Sequence, residues 1–381
     1  MGNRTDVSPL QRRAWAEIDI GKARQNYIAL RNAINPNVKI CCVVKANAYG
    51  HGAVRLATEY EKLGSDFFAV SNIEEAIQLR DGGISSPILI LGYTDPGCAR
   101  LLSMYDITQC VFSREYAESL NSFAKAALVD VNIHVKLDTG MGRLGFFCDS
   151  VGLSNIISVS GLSNLKIEGI FTHFSCSDEG AAGLEYTRLQ IEKFKIATDF
   201  LEKQGIRFKI KHCSNSAAAL DYPEAAFDMV RLGIVLYGCQ SDAMLNKCEL
   251  HKVMTLKTVI DFIKEVPPES FISYGREGKT KESTTIATIP IGYADGLWRS
   301  NYHNSLKVAL NGHSVSIIGR VCMDQCMLDI SDIKDNVSVG DEVIIFGEEK
   351  GHTVDDIASL NNTISYEILC SVGARVSRIY K

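Results

Sequence analysis

The sequence of 381 residues contains no apolar stretch that approaches the roughly 18 residues a helix needs to cross a bilayer. Its opening, MGNRTDVSPLQRRAW, lacks an apolar signal core. A basic surplus is missing too: 40 Lys plus Arg face 45 Asp plus Glu, a formal net charge of -5, whereas nucleic-acid binders usually carry an excess of cations. With 8 prolines and 30 glycines the chain is not collagenous, and with 46% hydrophobic residues it is too apolar to remain disordered. The 12 cysteines form no CxxC pair and no Cys/His cluster of zinc spacing, so they read as reduced, mostly buried small hydrophobes and no metal site is expected. These absences describe a soluble cytoplasmic protein with no membrane segment and no nucleic-acid partner. The polar lead over residues 1–13 would equally serve as a linker if the chain were the cytoplasmic part of a longer membrane protein.

What is present is a repeated pattern. Short apolar runs, VKICCVVKA, FFAVS, PILILG, ITQCVFS, VNIHVKLD, LKIEGIFTHFS, FKIKHCS and MVRLGIVLYG, begin near residues 38, 67, 87, 107, 131, 165, 208 and 229. Turns and amphipathic stretches separate them; in GLEYTRLQIEKFKIATDFLEKQG, Leu189, Phe194, Ala197 and Leu201 are assigned to one buried face. Runs that are apolar throughout suit a parallel sheet buried on both faces. Eight such units over residues 14–245 predict a (β/α)8 barrel of the TIM type, with a doubly wound open sheet as the alternative; no GxGxxG follows any strand. Over residues 246–381 the pattern changes to alternating β segments, MTLKTVIDFI, TTIATIPIG, HSVSIIGRV, CMLDI, DEVIIFG and ISYEILCSV, with turns at Asn311-Gly312 and Val339-Gly340-Asp341. This predicts a second, mostly β domain. Gly278-Lys279-Thr280 resembles the end of a phosphate loop, but the first glycine is missing and the motif is set aside.

Barrel enzymes work at the C-terminal ends of their strands, and polar residues collect there. Lys45 ends the first run, Lys136 lies in the fifth and leads through Asp-Thr-Gly-Met-Gly to Arg143, His173 ends the sixth, His212 the seventh with Asn215 and Ser216 beyond, and Arg231 with Gly233 and Ile234 lies in the eighth. A lysine emerging from a buried strand among other cations is biased toward the neutral amine, the form that attacks a carbonyl. Backbone amides at Gly233 and Ile234, beside Asn215 and Ser216, supply donors where barrels commonly hold phosphate. A carbonyl-reactive lysine opposite a phosphate nest points to pyridoxal 5'-phosphate.

At this point the motifs themselves become informative. VVKANAYGHG, KLDTGMGRLG, THFSCSDE, HCSNS and RLGIVLYG in the first part, with SYG, IPIGYADG, GRVCMDQCM and TISYE in the second, resemble those of the alanine racemases, fold-type III pyridoxal-phosphate enzymes. The resemblance spans nearly the whole chain and implies roles. Lys45 resembles the lysine that holds the cofactor and then acts as the base facing the D enantiomer; Tyr274 resembles the base on the opposite face, contributed by the partner subunit of a homodimer. Arg231 would face the pyridine nitrogen with His212 behind it, His173 would pack on the ring, and Tyr49, Ser216, Gly233, Ile234 and Tyr366 would hold the phosphate. Arg143 would orient the cofactor and the substrate carboxylate, Lys136 matches a lysine that can carry a carbamate, and Tyr293 and Met323 would line the substrate side.

Two bases on opposite faces of one carbon are what inversion of a Cα centre requires. The expected activity is interconversion of L- and D-alanine, supplying D-alanine for peptidoglycan. The nearest alternative is a serine racemase of the kind found in vancomycin-resistance systems, and Tyr366, where a smaller polar residue would be expected in those, favours alanine. An alternative of another class, a non-catalytic pyridoxal-phosphate carrier, would have no use for the second domain.

Overall fold

The computed structural model describes Ser8 and residues 13–381, and it divides into two compact units. Most of the polar lead at 1–13 lies outside the described residues. One unit comprises Ala23–Ala48 and Gly52–Leu250; the other comprises residues 13–22, Tyr49–His51 and His251–Lys381.

The first unit is the barrel. Its strands are Lys39–Val43, Phe67–Val70, Ile88–Ile90, Ile107–Val111, Val131–Asp138, Leu165–Phe171, Ile210–His212 and Met229–Leu232, one from each of the eight apolar runs. Neighbours pair in parallel in chain order, and the eighth strand pairs with the first through registers such as Arg231 with Cys41. Between the seventh and eighth strands two backbone bonds close the ring, Asp228 N–H to Lys211 O and Arg231 N–H to Ser214 O, both 3.0 Å. The open-sheet alternative is therefore excluded. Strands such as Ile107–Val111 and Phe67–Val70 are buried at every position, which is why they read as unbroken apolar runs rather than alternating ones.

Helices form the outer layer, and several begin on a side-chain cap: Asn72, Ser113, Asp149 and Asn215 each accept a bond from a backbone N–H of the first turn. The helix Leu184–Lys203 turns Gln190, Phe194, Ala197 and Leu201 inward, but Leu189 is 47% exposed. The face assigned from the sequence is thus corrected by one position: Gln190, four residues before Phe194, takes the inward place, where its amide bonds to His173 O and Thr139 Oγ1.

The second unit is built on a mostly antiparallel sheet. Among the described residues its strand order is Phe262–Val266, Thr284–Ile289, Cys326–Asp329, His313–Ile317, Lys307–Leu310, Glu342–Phe346, Met254–Val259, Ala14–Ile18 and Ser377–Tyr380. Ala14–Ile18, which the sequence division groups with the barrel, pairs here with Met254–Val259 and Ser377–Tyr380. The turn Asn311-Gly312 has φ of 49° and 79°, as a tight hairpin between Leu310 and His313 demands. One reading is overturned: ISYEILCSV is a helix, Ser365–Ser371, burying Ile368 and Leu369 while Ile364 stays exposed. Its β-like composition is outweighed by packing against a second helix, Val354–Leu360, which opens with a capping box between Thr353 and Asp356.

No disulfide joins any of the twelve cysteines, six of which are buried and five partly buried. Burial pushes the Cys41 thiol up to about 12, so it is inert packing. Among the described residues no helix is long and apolar enough to cross a membrane.

Candidate active site

Lys45 leaves the first strand half-buried, and the four residues after it, Ala46 to Tyr49, all have φ between 51° and 54°. A left-handed turn of non-glycine residues costs roughly 1–2 kcal/mol per residue, so the surrounding structure must enforce it. The Glu75 carboxylate does so from the next βα unit, accepting from Ala46 N–H at 2.6 Å and Ser71 N–H at 2.8 Å. Asn47 Oδ1 accepts from Ala53 N–H at 2.9 Å and starts the following helix. Lys45 is thus carried on a braced, strained loop at the strand end.

Inside the barrel the centre is Arg231, 4% exposed. Its Nη1 donates to His212 Nδ1 at 2.8 Å; its Nη2 donates to Thr172 O and Cys213 O, both at 2.9 Å, and to His173 Nδ1 at 3.3 Å. Both terminal nitrogens are therefore held by acceptors of the protein. The Phe171 ring stacks on His212 at 4.7 Å and lies 5.5 Å below the guanidinium. Burial lowers the His173 and His212 pKa values well below normal, and Arg231 lowers them further; for His173, Lys136, Arg143 and Lys45 add to the same effect. The charges acting on His173 are all cationic, an environment that suits an anionic, planar ligand.

Lys136 lies in the fifth strand, almost fully buried, with its Nζ 5.0 Å above Phe171. Burial, then Arg231 and Arg143, lower its pKa to about 7, so near neutral pH much of it is free amine. The loop to Arg143 is shaped by Asp138, whose Oδ1 accepts from Gly140 N–H at 2.9 Å and Gly142 N–H at 3.1 Å. Gly145 closes it at φ 128°, where a Cβ would sit 2.7 Å from Asp138 N. Arg143 itself remains exposed.

On the last two strands, Asn215 caps the helix Ser216–Asp221, and Ser216 Oγ accepts from Gly233 N–H at 2.9 Å. Ile234 begins the short helical turn that follows. The barrel therefore brings together Lys45, Lys136, Arg143, His173, His212, Asn215, Ser216, Arg231, Gly233 and Ile234. In the second unit, the rings of Tyr49 and Tyr366 meet edge to face at 5.7 Å.

Tyr274 sits in that unit, in the turn of a small hairpin between Phe271–Ile272 and Gly278–Lys279, and is 65% exposed. Ser273 before it has φ 64° and ψ -173°, a region that is essentially glycine-only and costs a side chain about 1–3 kcal/mol. The hydroxyl of Ser273 donates to Arg320 O at 2.6 Å, which fixes the turn, and Arg320 in turn pairs with Glu277. A cavity of about 460 Å³ opens beside it, lined by Ser273, Tyr274, Cys322, Met323, Asp324 and Gln325. Tyr293 N–H bonds to Cys322 O at 3.0 Å, and Ala294 N–H to Met323 O at 3.1 Å, so Tyr293 and Met323 belong to the same face, 42% and 51% exposed.

A barrel whose strand ends carry a lysine and a buried arginine, joined to a β unit presenting an exposed tyrosine, has the build of a two-domain barrel enzyme. Comparison with known proteins makes this specific. The family model described as alanine racemase, N-terminal domain, matches residues 18–241, and that of the C-terminal domain matches residues 253–380. The alanine racemase 1 of Clostridium acetobutylicum is 44% identical over 97% of the chain and 95% of its own length. That of Methanococcus maripaludis is 41% identical over 96% and 98%. Among solved structures, an alanine racemase of Clostridium difficile matches with TM-score 0.92 and 42% identity over 97% of this chain and 95% of its own. One from Bacillus anthracis with bound L-Ala-P gives 0.91 and 32% over 98% and 96%. The chain belongs to the alanine racemase family and is an isomerase.

Residues to which the sequence assigns no individual role are Glu75, His134, Glu168, Ser273 and Arg320. His134 was legible in part, because two-residue alternation along VNIHVKLD puts it on the face that carries Lys136. Glu75 carries no such signal, since its contact with the Lys45 loop, at Ala46 N–H, reaches into a different βα unit.

Proposed function

We propose that this chain is a cytoplasmic, homodimeric, pyridoxal-phosphate-dependent enzyme that interconverts L- and D-alanine, supplying D-alanine for peptidoglycan. The observation that carries the reading is Arg231: a buried guanidinium at the strand ends, held in place by His212 and two carbonyls. Such a donor fits an unprotonated ring nitrogen and cannot accept its proton. When bound, the cofactor supplies an aldehyde for the lysine or substrate amine and a ring that withdraws electrons from Cα.

The chain's own groups do the rest. The Lys45 amine would anchor the cofactor, and as a free amine it would take or return the Cα proton on the face of the D enantiomer. The partner subunit's Tyr274 serves the opposite face; the exposure of Tyr274, Tyr293 and Met323 supports a shared site. Arg143 would pair with the substrate carboxylate and orient the cofactor, His173 would pack on its ring, and Tyr49, Asn215, Ser216, Gly233, Ile234 and Tyr366 would hold its phosphate.

Lys136 is assigned a carbamate. Its pKa of about 7 leaves neutral amine to attack carbon dioxide near neutral pH, releasing one proton, and the resulting anion would offset Arg143 and Arg231, where an ammonium would repel them. Protein equilibrated with ¹³C-labelled bicarbonate should show a carbonyl resonance that is missing in Lys136→Ala; an identical spectrum in both would remove the assignment.

The activity itself is tested on purified protein with added cofactor. L-alanine should turn over to D-alanine with kcat/KM at least about 10-fold above that for L-serine, the order of discrimination one added group produces in a small pocket. Preference for serine would move the chain to the serine racemases, and cofactor binding without turnover would make it a carrier.

A further inference from the structure

We propose that His134 and Glu168 are positioning residues: His134 and His212 form a one-way hydrogen-bond relay along the barrel interior, ending beside the Glu168 carboxylate, that fixes how Arg231 presents its guanidinium to the ligand. The catalytic consequence rests on the reading of Arg231 given above; the relay itself rests on geometry alone.

Arginine only donates, so His212 Nδ1, 2.8 Å from Arg231 Nη1, must accept. The proton of neutral His212 is then on Nε2. That nitrogen lies 2.9 Å from His134 Nδ1, which must accept in turn and leaves the His134 proton on its own Nε2. His134 Nε2 is buried without a hydrogen-bond partner and lies 3.7 Å from the Glu168 carboxylate, beyond hydrogen-bond reach, so its N–H is drawn toward that charge by electrostatics alone. Both hydrogen bonds have one possible polarity, donating away from the guanidinium toward the side on which Glu168 lies. Both imidazoles are fully buried, and burial lowers both pKa values, so the pair stays neutral at physiological pH. Glu168 is held below the usual carboxylate range, first by His134 and also by Lys209 and Thr108, and so carries its charge.

Two features show that this space is kept for the relay. A side chain at Gly169, on the sixth strand, would place its Cβ 2.7 Å from His134 Cε1 and 2.8 Å from its Nε2, so the strand has no side chain where the imidazole lies. Barrel interiors are normally filled with branched apolar residues, and a line of four polar groups through one needs a specific reason. The physical gain is separation of charge. A carboxylate touching Arg231 would engage its donors and cancel its field, whereas one placed two neutral imidazoles away orients the guanidinium and leaves that field directed at the ligand.

The test uses the holoenzyme. In His134→Asn the amide oxygen replaces the Nδ1 acceptor; in His134→Leu nothing does. The Asn variant should keep the His212 Nε2–H resonance in ¹⁵N-edited spectra and kcat within about 3-fold of the parent. The Leu variant should lose or shift that resonance and lose kcat by about 10- to 100-fold in both directions, with KM nearly unchanged, the range typical of partners that orient a ligand-holding group. Glu168→Gln, at a partly exposed site, covers the case in which the Leu variant does not fold, and should shift the His134 Nε2–H resonance with a loss of about 3- to 10-fold. Equal losses in the Asn and Leu variants would reduce His134 to packing, and an unshifted His212 resonance in the Leu variant would overturn the relay. A shifted resonance with unchanged kcat would keep the relay and overturn the reading of Arg231.

Discussion

Lys45→Ala should lose racemisation by about 10⁴-fold or more, because one side chain is asked both to anchor the cofactor and to move the Cα proton on one face. The near-visible absorbance of lysine-linked cofactor should vanish, while cofactor still binds through contacts that the variant leaves intact: Arg231, Ser216 and the backbone amides at Gly233 and Ile234. A supplied small amine such as methylamine should restore a little activity by taking the place of the missing base. Lys45→Arg should not, since a guanidinium keeps its proton at any working pH. The loop braced by Glu75 should survive the change, because its bonds are to the backbone of Ala46 and Ser71 and not to the lysine side chain. Unfolding curves should therefore nearly coincide with the parent's. Retained absorbance in Lys45→Ala would show that another lysine holds the cofactor, and Lys136, with its lowered pKa, is the one to examine next.

The sequence discloses the barrel because each of its strands is buried on both faces and reads as a continuous apolar run, and because the polar residues fall at the ends of those runs. Lys45, Arg143, His173, His212 and Arg231 were legible for that reason. Less legible were the residues that act through others. His134 looks like any histidine within a strand until the seventh strand brings His212 within 2.9 Å, and Glu168 looks like a solvated charge. Both depend on pairing between strands distant in sequence. The backbone at Ser273 is hidden for a different reason: nothing in Ser-Tyr-Gly announces that the serine, rather than the glycine alone, takes a left-handed conformation. The helix Ser365–Ser371 was missed because Ile, Tyr and Cys favour strands in isolation, and packing of Ile368 and Leu369 overrides that preference.

Tyr274→Phe should retain the cofactor absorbance and lose about 10²- to 10⁴-fold in kcat/KM, the range that one positioned acid–base group contributes. The loss must be equal in the two directions. L- and D-alanine have the same free energy, so the ratio of their kcat/KM values equals an equilibrium constant of one in any variant. Asymmetry is therefore sought one step earlier, in exchange of the Cα hydrogen with solvent. In D₂O, D-alanine should continue to exchange its Cα proton without inversion, because Lys45 faces it, whereas L-alanine should exchange no faster than it racemises. The phenol-to-benzyl change leaves the ring on an exposed turn whose bonds come from Ser273 and Arg320, so stability should stay within about 0.5 kcal/mol of the parent. Mixing Tyr274→Phe with Lys45→Ala protein then separates a shared site from a self-contained one. If the partner subunit's Tyr274 completes each site, half of the sites in a mixed dimer combine an intact Lys45 with an intact tyrosine, and activity should return. No recovery on mixing, in dimers shown to exchange subunits, would place both bases within one chain.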